Sequence, residues 1–133
     1  MKPIAKINKT AVIGAGSWGT ALAKLLGDKG ESLYLWGHKT SQMEEMAKSR
    51  VNNKYLAGHR LPDNIALTSS LEIVKECQCV VMVIPSHGYR EVFRKIVPLL
   101  SDDCLVVSAV KGIENNSLQT MTQIMAEEVS KRS

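Results

Sequence analysis

Two rhythms of apolar residues alternate along the chain. Short, nearly unbroken apolar runs are each followed by a stretch in which apolar residues return every third or fourth position, the pattern of strand then amphipathic helix. The first strand is predicted over Thr10 to Ile13 and the first helix over Ser17 to Lys29, with Ala21, Leu22, Leu25 and Leu26 on one face and Gly30 closing it. Ser32 to Trp36 is the second strand. Thr40 or Ser41 then caps a helix carrying Met43, Met46 and Ala47, with Glu44 placed as a capping box requires. Arg50 to Asp63 has glycine, proline and paired asparagines and no period, and reads as a loop.

Ile65 to Thr68 is the third strand, and Ser69 or Ser70 caps a short helix through Leu71, Ile73 and Val74. Cys79 to Ile84 is apolar without interruption, as a central parallel strand buried on both faces should be. Pro85 ends that strand, and Ser86 can cap a helix with Tyr89, Val92, Phe93, Ile96 and Val97 on one side, broken by Pro98. Leu105 to Ala109 is the fifth strand. Asn116 or Ser117 opens a last helix with Leu118, Met121, Ile124, Met125 and Val129, where Glu114 starts or caps it and the methionines fill core.

Five such units predict an α/β fold: a doubly wound parallel sheet in the order 3-2-1-4-5, helices on both faces, of the Rossmann type. The chain has 133 residues, enough for one core and too few for two ordinary domains. Residues 1–9 read as a flexible leader and 10–133 as the single domain of this fold. The sixth strand and substrate-holding second domain that normally accompany this fold are not in the sequence.

The turn after the first strand carries the chemistry. Gly14-Ala15-Gly16-Ser17-Trp18-Gly19 joins strand to helix in the order a dinucleotide site requires. Gly14 allows the sharp exit from the strand, Gly16 removes a side chain where backbone must approach a diphosphate, and Gly19 lets the helix pack close. The free N–H groups of the first helical turn then face the phosphates, each favourable charge contact contributing roughly 0.3–2 kcal/mol.

A site that insists on NAD places an acid about 20 residues further on, against the ribose 2′-hydroxyl. Here the second strand ends in Trp36-Gly37-His38-Lys39, and no acid follows before Glu44. His38 and Lys39 can accept a 2′-phosphate, so NADPH is expected to be accepted alongside NADH. Two further segments leave the sheet at its carboxyl edge: Pro85-Ser86-His87-Gly88, and Ser108 to Glu114 with Lys111 suited to a phosphate or a polarised carbonyl.

The formal charge of +4 and the 5% aromatic content lack the basic, aromatic-studded surface of a nucleic-acid binder. The mild positive balance is compatible with small anionic substrates and points no further. The N-terminus has no apolar h-region and the longest apolar run is far short of the ~20 residues that span a bilayer, so neither secretion nor membrane insertion is expected. Cys77, Cys79 and Cys104 form an odd set without metal-ligand spacing and read as buried free thiols in a reducing cytoplasm, with no metal site. An uncovered fifth-strand edge allows association, including a homodimer.

Together these segments resemble bacterial-type NAD(P)-dependent glycerol-3-phosphate dehydrogenase. The resemblance rests on GAGSWGTALA at Gly14 to Ala23, LWGH at Leu35 to His38 and NNKYLAGHRLP at Asn52 to Pro62, with VIPSH at Val83 to His87 and SAVKGIE at Ser108 to Glu114. It implies reversible reduction of dihydroxyacetone phosphate by NAD(P)H, giving sn-glycerol 3-phosphate for phospholipid synthesis. It also implies that Ser17, Trp18, His38, Lys39 and Tyr55 contact cofactor and that Lys111 touches cofactor and substrate. The family's proton-transferring lysine lies in a C-terminal helical domain, so this stretch should hold no catalytic residue of its own and should be inert alone. A non-catalytic NAD(P)-binding or sensing module is the alternative, and another two-domain reductase built on the same half is a third reading.

Overall fold

The structure, a computed structural model, describes residues 7–132. In chain order it contains β1 (Thr10–Ile13), α1 (Ser17–Asp28), β2 (Leu33–Trp36), α2 (Thr40–Ser49), β3 (Val51–Asn52), β4 (Leu56–Arg60) and β5 (Ile65–Thr68). A 3₁₀ turn (Leu71–Glu76), β6 (Cys79–Met82), α3 (Ser86–Ile96), a second 3₁₀ turn (Val97–Leu99), β7 (Leu105–Ser108) and α4 (Met121–Ser130) follow.

Five strands form one parallel sheet in the order β5-β2-β1-β6-β7, while β3 and β4 pair separately as an antiparallel hairpin. With the hairpin set aside, that is the expected 3-2-1-4-5 winding. The register aligns Ile13 with Trp36 and with Met82, so strands that leave the sheet side by side deliver their following loops to one edge.

Alternation along the strands divides the core. Ala11, Ile13, Val80 and Met82 face Tyr89, Phe93 and Ile96 of α3 and Ile124 of α4. Val12, Leu35 and Val81 face Ala23 of α1 and Met43 and Met46 of α2. Every residue of β1 and β6 is buried, which is why these strands read as unbroken apolar runs. Each fully buried Ile, Leu or Phe contributes about 1.5–3 kcal/mol. β7 departs from this pattern: Val106 packs inward, while Leu105 and Val107 stand exposed on the other face.

Several expectations are corrected. Arg50 to Asp63 is not a loop throughout but carries the β3–β4 hairpin, held by cross-strand pairs Val51–Arg60 and Asn52–Leu56. α2 is not capped by Thr40 or Ser41: Lys39 is its N-cap without a side-chain bond, and the Thr40 hydroxyl instead meets that of Ser69 at 3.1 Å. Ser86 is the first residue of α3 and does not cap it, because Pro85, at φ −55°, occupies the cap position. The segment after Ser70 is 3₁₀, not α-helical, with Ser70 Oγ accepting from the Glu72 N–H at 3.3 Å.

The last helix opens at Met121, not at Asn116 or Ser117. Thr120 caps it reciprocally with Gln123, and Leu118, placed in the helix by its spacing, is exposed in the left-handed region at φ 59°. Glu114 neither starts nor caps it; its carboxylate pairs with Arg90 of α3. Of the expected leader, residues 1–6, including Lys2 and Lys6, lie outside the described residues. Asn8 and Lys9 donate their backbone N–H groups to Gln78 Oε1 at 3.0 and 2.9 Å.

Candidate functional site

The carboxyl ends of β1, β2 and β6 open into a cleft of about 1050 Å³. Its floor is the turn after β1, and the three glycines there meet different demands. Gly14, at φ +130°, sits where a Cβ would lie 2.5 Å from the Val83 carbonyl oxygen, and a Cβ on Gly19 would overlap the Gly14 carbonyl. Both are required by the fold itself. Gly16 is not: its φ is −77° and a Cβ there would meet nothing within 4 Å. The room above it opens on the cleft, which Gly16 lines.

Gly16 is also the N-cap of α1. It supplies no side chain to the free N–H groups, the first turn has no acidic residue, and the first helical bond runs from Thr20 N–H to Gly16 C=O at 3.0 Å. The amides of Ser17, Trp18 and Gly19 therefore precede the helical ladder at the cleft floor, a positive helix end facing open space. A diphosphate fits there: it brings acceptors to unladdered donors and needs the volume that a Cβ at position 16 would fill.

The second wall comes from the end of β2. His38 and Lys39 are exposed and both line the cleft, at the uncapped start of α2. Tyr55, 41% exposed, reaches the same cleft from the hairpin, and exposed Trp18 stands at its mouth. Leu71, Ile84 and Val92 add apolar lining to the same cleft, alongside Glu91 and Lys95. Trp36 also lines the cleft, and its buried indole N–H has no partner among the described residues.

The sequence names Asn52 only as the start of the Asn52 to Pro62 segment and gives it no role of its own. It is buried, only 1% exposed, and its Nδ2 donates to the Ala15 carbonyl and to Thr20 Oγ1, both at 2.9 Å. Its Oδ1 accepts from the Tyr55 N–H at 3.3 Å and from Gln42 Nε2 at 3.5 Å. The hairpin is thus tied to the glycine turn by one amide. Asparagine in a stretch without period looks like a loop residue, and nothing in its neighbours signals burial.

The structure does not gather Lys111 into this cleft. Exposed Lys111 lines an adjoining depression of about 400 Å³ with Ser108, Thr120 and Thr122, and Val110 forms the wall shared by the two. His87 lies on the main-cleft side. The Lys111 segment is held by ion pairs. Arg90 Nε donates to both Glu114 oxygens at 3.1 and 3.0 Å, and Arg90 also bonds Glu128 and Gln119. Glu128, 2% exposed, further accepts from Arg94 at 2.9 Å. These bonds, Arg94's foremost and then Arg90's, hold the Glu128 carboxyl down at about 2, against its own burial. Glu114 is lowered by Arg90 and then by Ser117.

The thiols take no part. Cys77 and Cys79 are buried, Cys104 is half-buried, and all three are unpaired with one another. Burial pushes Cys77 up to about 12 and Cys104 to about 11, leaving protonated, unreactive groups. Among the described residues no cluster could hold a metal ion, and no helix is long and apolar enough to cross a membrane.

The family model described as NAD-dependent glycerol-3-phosphate dehydrogenase N-terminus matches residues 9–133. The glycerol-3-phosphate dehydrogenase [NAD(P)+] of Desulfotalea psychrophila is 50% identical over 121 residues, covering 90% of this chain and 36% of that protein. Its counterpart in Pelotomaculum thermopropionicum is 43% identical over 121 residues, with 90% and 35% covered. The chain thus spans about a third of the length of these relatives. Among solved structures, glycerol-3-phosphate dehydrogenase from Coxiella burnetii superposes with a TM-score of 0.86 at 31% identity, covering 92% of this chain and 38% of that one. The Saccharomyces cerevisiae enzyme shares the fold at a TM-score of 0.80 and 24% identity, with 94% and 40% covered.

Proposed function

This chain belongs to the family of the NAD-dependent glycerol-3-phosphate dehydrogenase N-terminus, and on that premise we propose that residues 10–133 are the NAD(P)-binding unit of such a dehydrogenase. The whole protein would interconvert dihydroxyacetone phosphate and sn-glycerol 3-phosphate, a small phosphorylated substrate, in the cytoplasm. The observation that carries the reading is Gly16. Its backbone angles suit any residue and its Cβ position is empty, so the fold gives glycine there no more than a modest N-cap preference, whereas a close-approaching ligand requires it.

The diphosphate would rest on the amides of Gly16, Ser17, Trp18 and Gly19, with Gly14 shaping the turn. His38 and Lys39, together with the uncapped start of α2, favour an added 2′-phosphate, so NADP(H) is accepted as well as NAD(H). The adenosine end would use the apolar lining of Leu71, Ile84 and Val92, while Trp18 and Tyr55 would cover the cofactor. When bound, the reduced nicotinamide supplies hydride. Lys111 would hold the phosphorylated substrate near that end from across the Val110 wall, and Arg90, through Glu114, fixes the segment that carries Lys111. No catalytic residue is assigned within this chain; the proton donor is placed in the rest of the longer protein. A homodimer through the exposed β7 edge is the assembly proposed, to be read by sedimentation.

Titration calorimetry of the folded chain with NADPH and NADH tests the reading. Heat of binding for at least one is expected, and no heat for either would remove it. The sensing-module alternative predicts the same binding, and is separated by assaying the longer protein with dihydroxyacetone phosphate.

A further inference from the structure

We propose that Asn52 is a positioning residue for the diphosphate-binding turn, an inference that rests on the dinucleotide reading of the cleft. Its amide orientation is determined by the partner that can only donate. The Tyr55 backbone N–H faces one end of the Asn52 side chain at 3.3 Å, so that end is oxygen and the other is the nitrogen. The nitrogen's two hydrogens are then spent on Ala15 C=O and Thr20 Oγ1, each at 2.9 Å. With Gln42 on the oxygen's second lone pair, all four bonding positions of a nearly inaccessible amide are used.

The consequence lies in the Ala15–Gly16 peptide. A trans peptide points its C=O and N–H in opposite directions, and no cis bond occurs among the described residues. Drawing the Ala15 carbonyl back onto Asn52 therefore turns the Gly16 N–H the other way, toward the cleft that Gly16 lines. Without Asn52 that carbonyl loses its buried donor. The peptide then gains by turning toward solvent, which puts a carbonyl dipole where a diphosphate needs a donor. Asn52 also holds the hairpin by the amide of Tyr55, so one side chain sets both the floor and one wall of the cleft. Thr20 belongs to the same cluster but does not line the cleft, which makes it the control.

The experiment compares wild type, Asn52→Ala and Thr20→Val by thermal melting and by calorimetry with NADP+, and follows the Gly16 amide of the wild type by ¹⁵N NMR. Both substitutions should lower the melting temperature. Asn52→Ala should weaken NADP+ by about tenfold or more, while Thr20→Val should stay within about twofold. In the wild type, NADP+ should move the Gly16 amide proton downfield, as a newly made hydrogen bond does. Equal weakening by the two variants, no weakening by Asn52→Ala, or a Gly16 amide unmoved by bound NADP+ would each overturn the proposal. If Asn52→Ala does not fold, a Gly16 amide unmoved by NADP+ in the wild type still overturns the proposal. A wild-type chain that binds neither NADP+ nor NAD+ would instead overturn the cofactor reading, and the role of Asn52 with it.

Discussion

Replacing Gly16 with alanine should separate folding from binding. At φ −77° the alanine is unstrained, and its methyl enters open space. Losing glycine's freedom in the unfolded chain gains about 0.4–1 kcal/mol, while alanine is a poorer N-cap than glycine by about 0.5–1 kcal/mol. The two nearly cancel, so the melting temperature should stay within about 3 °C of wild type. Binding should not survive so well. The methyl holds the diphosphate off the amides of the first turn, and losing one or two charge-assisted hydrogen bonds costs about 3 kcal/mol, roughly a 100-fold weaker Kd. Gly19→Ala is the contrast: its Cβ overlaps the Gly14 carbonyl, so backbone must move at a cost of ~3 kcal/mol or more. Calorimetry with NADPH beside thermal melting reads both quantities. A Gly16→Ala chain that binds NADPH as tightly as wild type, or that loses stability as Gly19→Ala does, would refute the reasoning.

Exchanging His38-Lys39 for Asp-Ala should weaken NADPH about tenfold relative to NADH, measured as the ratio of the two dissociation constants. Because Glu128 is held at about 2 in the folded protein against an ordinary 4.5, its contribution is full above about pH 4.5 and is lost as pH falls toward 2. Melting temperature against pH should show that acid-side decline, and Glu128→Gln should flatten it. On the open edge of the sheet, Val107→Lys should reduce self-association in sedimentation while moving the melting temperature by about 2 °C or less. Mixed with NADPH and dihydroxyacetone phosphate, the 133-residue chain should show no turnover above background, since a positioned general acid contributes about 10²–10⁴ in rate.

What could be read in the sequence was what the core dictates. β1 and β6 are buried on both faces, so apolar runs locate them within one or two residues, and the glycine turn follows from the strand before it and the helix behind. The hairpin escaped because it lies outside that core. Leu56 to Arg60 is exposed along nearly its whole length, so no alternation marks it as a strand. Asn52 escaped for the opposite reason: it is polar and buried, and only the three-dimensional approach of Ala15 and Thr20 explains that. At α4 the legible signal was Thr120-x-x-Gln123, a reciprocal cap, and the apolar spacing that reached back to Leu118 pointed one turn too early. The Lys111 loop was placed correctly at the sheet edge, but whether Val110 joins it to the main cleft or walls it off is a matter of packing that spacing does not encode.

The strand at the middle of the sheet is the first one made. Its partner β2 follows soon in the chain, but its other flank waits for Cys79 to Met82, so its two sides become available for pairing at very different chain lengths. Until then a strand that ends up wholly buried has no neighbour on that side, a long-range closure of the kind that slows folding and exposes sticky intermediates. A ribosome-bound piece ending in the hairpin would hold the whole glycine turn and still lack the β6 contacts that shape it, including the Val83 carbonyl against Gly14. Competence to take up a nucleotide should therefore arrive late and abruptly during translation, with the emergence of β6, and not gradually with chain length.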